Sequence, residues 1–176
     1  ENPLRSIAAM TTTAAPSFTG NLYLWPGRGL YIGRTADTAP HAHHALQVCI
    51  GIDGEVEVER SDGALQETVR SRLIIVEPDR RHRLRGNTQP VVLVYLDPEA
   101  IYARAILSRD GAHIAFDVAS VLTSGSSPIG GEALAPGEAS ALCDRIVSAL
   151  SGLTPQPLAI DGRIERAIAT RRGSPE

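Results

Sequence analysis

The segment His41 to Ile52 constrains the fold of this chain more than any other part of the sequence. It reads HAHHALQVCIGI. Successive side chains of an extended strand point to opposite faces, so His41, His43 and Gln47 share one face, where only small residues lie between and beyond them. The opposite face carries the remaining histidine and an apolar series. We therefore expect a strand with a core on one face and convergent polar side chains beside open space on the other.

The first half of the chain has the pattern of an all-β domain. From Phe18 to Pro98, short apolar runs alternate with turn residues, which is typical of a barrel or sandwich. The runs Asn21 to Trp25 and Leu30 to Gly33 flank a Pro-Gly-Arg-Gly sequence, whose glycines allow a tight hairpin. Continuous apolar runs from Leu73 to Val76 and from Val91 to Leu96 predict strands covered on both faces.

After Pro98 the pattern changes to helices. Glu99 to Ser108 and Ala139 to Leu150 carry apolar residues three or four positions apart, and Gly152 is placed to end the second helix. The chain thus divides into a flexible arm (1–17), a β domain (18–98), a helical segment (99–153) and a linker with a final amphipathic segment (154–176).

Composition excludes several classes of protein. The net charge of −3 argues against a surface made for nucleic acid, so the chain by itself should bind DNA weakly or not at all. No apolar run approaches the roughly 20 residues that cross a bilayer, so we expect no membrane partner. The two cysteines show no paired spacing, which favours a reduced, cytoplasmic protein. Because no nucleophile motif or phosphate-binding glycine loop is present, we assign no catalytic residue.

The histidine pattern resembles the first signature of the cupin barrel. In that signature two histidines one residue apart precede a glutamate and then a glycine, and the corresponding residues here are His41, His43, Gln47 and Gly54. Only the glutamate is replaced. The second cupin signature, with a proline, a glycine and a histidine, is approximated by Pro78-Asp79-Arg80-Arg81-His82, which lacks the glycine and is one residue short. The resemblance implies that this histidine lines the same interior.

The segments HAHHALQVCIGIDGEVEV, LIIVEPDRRHRL and VVLVYLDPEA resemble the amino-terminal sensor domain of bacterial AraC-type transcription regulators. Near the end, IDGRIERAIA resembles the opening of that family's DNA-binding domain, so the resemblance covers roughly residues 18 to 169. It implies a mainly β fold, in which a cupin-like (jelly-roll) β-barrel is followed by an α-helical dimerisation segment. It also implies a homodimer and a DNA-binding domain that begins within 154–176. DNA would then be bound only through a domain missing from this chain, and a truncated protein and a natural sensor-only protein both fit.

The histidine cluster has two alternative occupants. In the first interpretation a small-molecule effector forms hydrogen bonds in an apolar-walled pocket and no cofactor is needed. In the second, the cluster holds a divalent transition metal such as zinc, nickel, iron or copper, although a neutral glutamine attracts a cation less than a carboxylate does. The residues expected to contact the effector are His41, His43, Gln47, His82, Tyr23 and Trp25. The residues expected to hold a metal are His41, His43, Gln47 and His82.

Two functions follow from these occupants. The first is the effector-sensing and dimerisation domain of an AraC-type regulator, which is not an enzyme. The alternative is a metal-dependent cupin enzyme of the dioxygenase or isomerase type with a site of three histidines and a glutamine. For the helical segment, Leu142, Ile146 and Leu150 form the expected dimer interface, and they could equally cover the open side of their own barrel.

Overall fold

The computed structural model describes residues 18–62, 65–109, 117–123 and 133–155. This part of the chain is mainly β, and its helices follow the strands, as predicted. The strands are β1 (Thr19–Trp25), β2 (Arg28–Thr35), β3 (Leu46–Gly51), β4 (Val56–Asp62), β5 (Leu65–Ser71), β6 (Leu73–Val76), β7 (His82–Leu84) and β8 (Asn87–Leu96). The helices are α1 (Ile101–Leu107), α2 (Val118–Thr123) and α3 (Pro136–Ser151).

The strands form two antiparallel sheets. The large sheet has the order β1-β2-β8-β3-β6 and the small sheet has the order β5-β4-β7. Within the described residues the two sheets do not join into one ladder, so the closed barrel that we expected is wrong and the architecture is an open sandwich. The chain leaves the small sheet at Ser71, bends at Arg72 and enters the large sheet at Leu73. The two edge strands therefore follow one another around a corner and are not neighbours in a ladder.

The predicted amino-terminal hairpin is confirmed. Strands β1 and β2 pair from Thr19 opposite Arg34 to Trp25 opposite Arg28. The turn consists of Pro26 and Gly27, and the glycine has a φ of 71°, a conformation that other residues rarely adopt. Strand β2 begins two residues earlier than we predicted.

The side-chain alternation of β3 separates two cores. Leu46, Val48 and Ile50 face the helices, which pack on the outer face of the large sheet. Cys49 faces the other way, into an apolar cluster between the two sheets that includes side chains from both. The predicted apolar series on one face of this strand is thus confirmed.

Helix α3 confirms the predicted second helix and extends it at its amino terminus. It begins at Pro136, where a missing amide proton is tolerated, and the carboxylate of Glu138 accepts a hydrogen bond of 3.0 Å from the amide of Ala135. It ends at Gly152, which has a φ of 73° in the left-handed region. Helix α1 confirms the first predicted helix, whereas α2 was not predicted.

The three residues expected to form a dimer interface lie inside the chain's own core. Leu142 is 2% exposed, and Ile146 and Leu150 are fully buried against the large sheet and its neighbouring helices. Side chains already buried in one subunit cannot form a seam with another, so this interface is contradicted and the alternative, covering the chain's own strands, is correct. The expectation of a homodimer stays a prediction.

Several other expectations fall on residues that the structure does not describe. The arm (1–17) and nearly all of the linker and the start of a DNA-binding domain (154–176) lie outside the described ranges. Among the described helices, none is long and apolar enough to cross a membrane.

Candidate metal centre

Three histidines from two separate segments of the chain meet beside β3. The backbones of His41 and His82 form an antiparallel bridge, in which each amide nitrogen donates to the other residue's carbonyl oxygen at N to O distances of 2.9 and 2.8 Å. The amide of Asp79 donates a hydrogen bond of 2.9 Å to the carbonyl of His43, which ties the second segment to the first again. The ring centroids lie 4.4 Å apart for His41 and His82, 5.0 Å for His43 and His82, and 5.6 Å for His41 and His43.

The local path of the backbone differs from the strand expected between His41 and Gln47. Only His41 makes a β-bridge, the chain bends at His44 and Ala45, and β3 begins at Leu46. The bend turns His44 outward, so its side chain is 71% exposed and its Nδ1 lies 3.0 Å from a carboxylate oxygen of Asp79. The expectation that His44 points with the apolar residues is wrong, whereas the predicted convergence of the other histidines with Gln47 is confirmed.

All three clustered rings are held by backbone carbonyls. The Nδ1 atoms of His41, His43 and His82 lie 2.9, 3.0 and 2.8 Å from the carbonyl oxygens of Ala39, Ala45 and Arg80. A carbonyl can only accept, so in each ring Nδ1 carries the proton and donates it. The Nε2 atom of each neutral ring is then an acceptor with a free lone pair. Metal-ligating histidines are oriented in this way, by donating the other ring N–H to a fixed acceptor.

Gln47 completes the cluster from β3. Its Oε1 lies 2.8 Å from Nε2 of His43 and 3.1 Å from Nε2 of His82, so acceptors face an acceptor at hydrogen-bond distance. Its amide nitrogen donates to the sulfur of Cys49 at 3.3 Å. Three changes remove the conflict between acceptors. A cation can bind among them, the amide can turn over and donate both of its protons to the rings, or a ring can take up a second proton on Nε2 and donate it to the amide oxygen.

The spacing and the charge state of the rings fit a transition-metal ion. One ring nitrogen from each of His41, His43 and His82 lies within 4.8 Å of the others. A tetrahedral centre with bonds of about 2.1 Å has ligand atoms about 3.4 Å apart, so the ring nitrogens have to approach one another by up to about 1.4 Å to bind an ion. Burial, the largest cause, lowers the pKa of His82, and the positive charge that the other two rings can carry lowers it further. His82 is therefore held neutral, the form that binds a metal.

Two ionisable neighbours on the large sheet, Cys49 and Tyr95, add no negative charge to the cluster. Burial raises the pKa of the Cys49 thiol to about 12. The Tyr95 ring meets the His43 ring edge-on at 5.6 Å, and burial raises the pKa of its phenol to about 12 as well. Both groups stay protonated at neutral pH. The centre thus contains no anionic ligand, and its donors are three imidazoles and one amide.

Tyr23 and Trp25 are not part of this arrangement. Their rings stack on each other at 6.2 Å and pack against the core beneath the helices, on the opposite face of the large sheet from Gln47 and Cys49. The hydroxyl of Tyr23 donates to the carbonyl of Leu134 at 3.2 Å. The structure therefore does not bring these two rings to the histidines, because alternation along β1 directs them to the helical side.

Sequence reasoning missed two residues beside the cluster, Tyr95 and Arg60. Tyr95 lies opposite Gln47 in the β3–β8 ladder, and Arg60 lies opposite His82 in the β4–β7 ladder. The sequence carries no signal for either position, because the pairing and register of distant strands decide which side chains meet.

No family model and no curated protein matches the sequence. Solved structures of cupin-type proteins resemble the fold. A cupin 2 conserved barrel domain protein from Salinispora arenicola is 17% identical, with a TM-score of 0.36, over 54% of this chain and 91% of that chain. A mannose-6-phosphate isomerase-like protein from Ralstonia eutropha is 15% identical, with a TM-score of 0.38, over 54% and 99% of the two chains. Oxalate decarboxylase from Bacillus subtilis is 14% identical, with a TM-score of 0.35, over 43% of this chain and 22% of the enzyme. Similarities at this level carry no inference about what the present chain binds, so the side-chain geometry has to carry it.

Proposed function

We propose that this chain is a metal-dependent enzyme domain with a cupin-like fold, in which His41, His43, His82 and Gln47 hold one divalent transition-metal ion. One observation carries the proposal. The three Nδ1 protons are donated to backbone carbonyls, so the Nε2 lone pairs of His43 and His82 face the amide oxygen of Gln47. A ring nitrogen of His41 lies within 4.8 Å of ring nitrogens of both histidines. A cation satisfies all four acceptors at once.

Partial exposure of the cluster favours a reactive metal centre over a purely structural one. Structural sites enclose the ion completely, whereas catalytic sites keep a position open to substrate. His82 is only 2% exposed, but His41 and His43 are half-buried and face solvent. The buried ring anchors the site from the small sheet, and the other two leave a path to it.

The chain's own residues prepare this centre for an organic substrate. The carbonyls of Ala39, Ala45 and Arg80 fix the ring orientations, and Gln47 reaches the rings from the large sheet. The ring of Tyr95 packs against His43 and shields that side from water. When bound, the metal would act as a Lewis acid that polarises an oxygen of the substrate.

The test is metal binding by the purified protein and two histidine variants. After reconstitution with zinc, nickel, iron(II) or copper and removal of free metal, we expect about one tightly held ion per chain by elemental analysis. His43→Ala should weaken binding by more than about a hundredfold, because loss of an outer-shell partner alone costs about 10–100-fold. His44→Ala is the matched control, since His44 adjoins the cluster in sequence but points to solvent. Equal metal content in both variants would refute the proposal.

A second candidate is the effector-sensing and dimerisation domain of an AraC-type transcription regulator. The order of elements favours it, because strands are followed by helices that pack on the large sheet, as the resemblance in sequence implies. In this case the histidines and Gln47 would form hydrogen bonds to a small organic effector, with the amide turned over to donate to the rings. The domain would act as a homodimer and reach DNA through a further domain.

Native mass spectrometry separates the two candidates. A chain that holds no metal after reconstitution but retains a small molecule and forms a dimer would favour the regulator. A chain with one metal per subunit would favour the enzyme, whatever its oligomeric state.

A further inference from the structure

We infer that Arg60 binds the carboxylate of a small organic acid at the histidine centre. This inference rests on the proposed function, because it names the class of substrate that the metal centre would accept.

Position is the first argument. Arg60 lies directly opposite His82 in the β4–β7 ladder and directly opposite Glu67 in the β4–β5 ladder. Directly opposed residues point to the same face of a sheet, so Arg60 and the buried His82 are side by side. The guanidinium extends from the small sheet to the large one, where an Nη2 proton is donated to the carbonyl of Ile75. Val76, the next residue, lies opposite Gln47, so Arg60 spans the gap beside the histidine cluster.

Unused hydrogen-bonding capacity is the second argument. The Nε–H of Arg60 is buried and has no hydrogen-bond partner among the described residues. The guanidinium offers five donors, and its fork matches the two oxygens of a carboxylate. A buried donor without a partner is destabilising unless a ligand or water satisfies it.

Charge is the third argument. Three neutral imidazoles and a neutral amide leave the full charge of a divalent ion uncompensated, and Arg60 adds a further positive charge that acts on both His82 and Cys49. Such a site repels a second cation and attracts an anion. An anion that contacts the metal and the guanidinium together would relieve the repulsion between them.

The surface beside the metal centre also carries a net positive charge. A cleft of about 400 Å³ is lined by Arg60 and His82, together with three further arginines and two glutamates. The four arginines and two glutamates of the lining leave a net charge of +2, and Asp37 and Glu59 pair with Arg83 and Arg85. An excess of positive charge along a cleft raises the local concentration of anionic ligands.

The experiment measures binding of acetate, with the neutral isostere acetamide as the comparison. Cobalt(II)-loaded protein is titrated with each compound while the visible spectrum of the metal is recorded, so no catalytic activity is needed. We expect acetate to bind the wild-type protein more tightly than acetamide. Arg60→Gln should weaken acetate binding by about tenfold or more, as expected for loss of a hydrogen bond to a charged group, and Arg60→Lys should weaken it less.

Two controls distinguish a loss of acetate binding at Arg60 from a loss of metal binding. Arg70→Gln removes an exposed arginine that is paired with Glu57, and it should leave acetate binding unchanged. The cobalt affinity of Arg60→Gln should equal or exceed that of the wild type, because a repelling cation is removed.

If the wild-type protein binds no metal, the proposed function fails. If it binds metal but shows no preference for acetate over acetamide, or if Arg60→Gln binds acetate as tightly as the wild type does, the inference is overturned. Where Arg60→Gln does not fold, Arg60→Lys decides the matter, because it keeps the charge and loses the guanidinium fork.

Discussion

Nε2 of His82 lies 3.1 Å from Oε1 of Gln47, although the two residues belong to different sheets. His82 is in β7 of the small sheet and Gln47 is in β3 of the large one. This contact closes the sandwich at one end with polar atoms, whereas the space behind it is filled by apolar side chains. Any change at either residue thus affects both the candidate metal centre and the contact between the sheets.

Gln47→Glu should raise the affinity for divalent metal by more than about tenfold, because a carboxylate adds a negative charge at the ligand position. A competition titration with a chelator measures the change. Gln89→Glu is the matched control, since Gln89 is an exposed residue of β8 that does not line the cleft beside His82, and its substitution adds the same charge. Equal affinities for the wild type and Gln47→Glu would show that this side chain does not contact the ion.

The stability of the metal-free protein should fall as the pH drops below about 6.5, partly because of His82. Burial lowers the pKa of this residue in the folded state from its ordinary value of 6.5. Below that pH the unfolded chain takes up a proton that the folded chain resists, so unfolding is favoured until the pH reaches the folded pKa. Above pH 6.5 the residue contributes no such effect. Urea unfolding at pH 7.5 and 5.5 in the presence of a chelator gives the slope of the unfolding free energy with pH.

His82→Asn should reduce this loss of stability at low pH. His44→Asn is the control with the opposite sign. The hydrogen bond to Asp79 raises the pKa of His44, so its stabilising contribution is present below pH 6.5 and is lost as the pH rises through the folded pKa. A wild-type pH slope in His82→Asn would contradict the assignment of the effect to His82.

Neither cysteine should react with iodoacetamide in the native protein at pH 8. Cys49 and Cys143 are fully buried, and burial raises their pKa values to about 12 and about 11. The thiolate is the reactive form, so we expect labelling at least about a hundredfold slower than in the urea-unfolded chain. Mass spectrometry of the alkylated protein provides the measurement. Rapid labelling of one cysteine under native conditions would show that its part of the core opens.

Ile146→Ala should lower the free energy of unfolding by about 2–5 kcal/mol without changing the oligomeric state, because the side chain is fully buried in its own subunit. Urea unfolding and analytical ultracentrifugation measure the two effects. Ala149→Ser, on the exposed side of the same helix, should change neither. If Ile146→Ala shifts the protein toward monomer while its free energy of unfolding stays unchanged, and Ala149→Ser does not, Ile146 lies in a dimer interface after all.

The structural elements that depend on a short stretch of sequence could be predicted from the sequence. The hairpin at Pro26-Gly27, the two faces of β3 and helix α3 depend on turn residues and on periodicity within a few residues. The spacing of His41, His43 and Gln47 also identified one half of the site. It did so although the intervening backbone bends at His44, because the residues on either side of the bend still converge.

The remaining features depend on how distant segments meet. Whether the sheets close into a barrel is decided at the corner around Arg72, and whether the apolar face of α3 covers its own sheet or a partner is decided by packing. Arg60 reaches His82 only through the register of β4 with β7, and alternation along β1 turns Tyr23 and Trp25 to the far face. No single-strand pattern contains this information, since a shift of one residue in register reverses every face.

The acceptors that orient the three imidazoles are peptide carbonyls, at Ala39, Ala45 and Arg80. A peptide carbonyl survives any replacement of the side chain beside it, provided that the backbone keeps its course. Substitutions at these three positions can therefore accumulate during evolution without changing the ring orientations. The geometry of the centre can be retained after the sequence has diverged. Among distant homologues, we expect the ring orientations to be shared more widely than the residues that produce them.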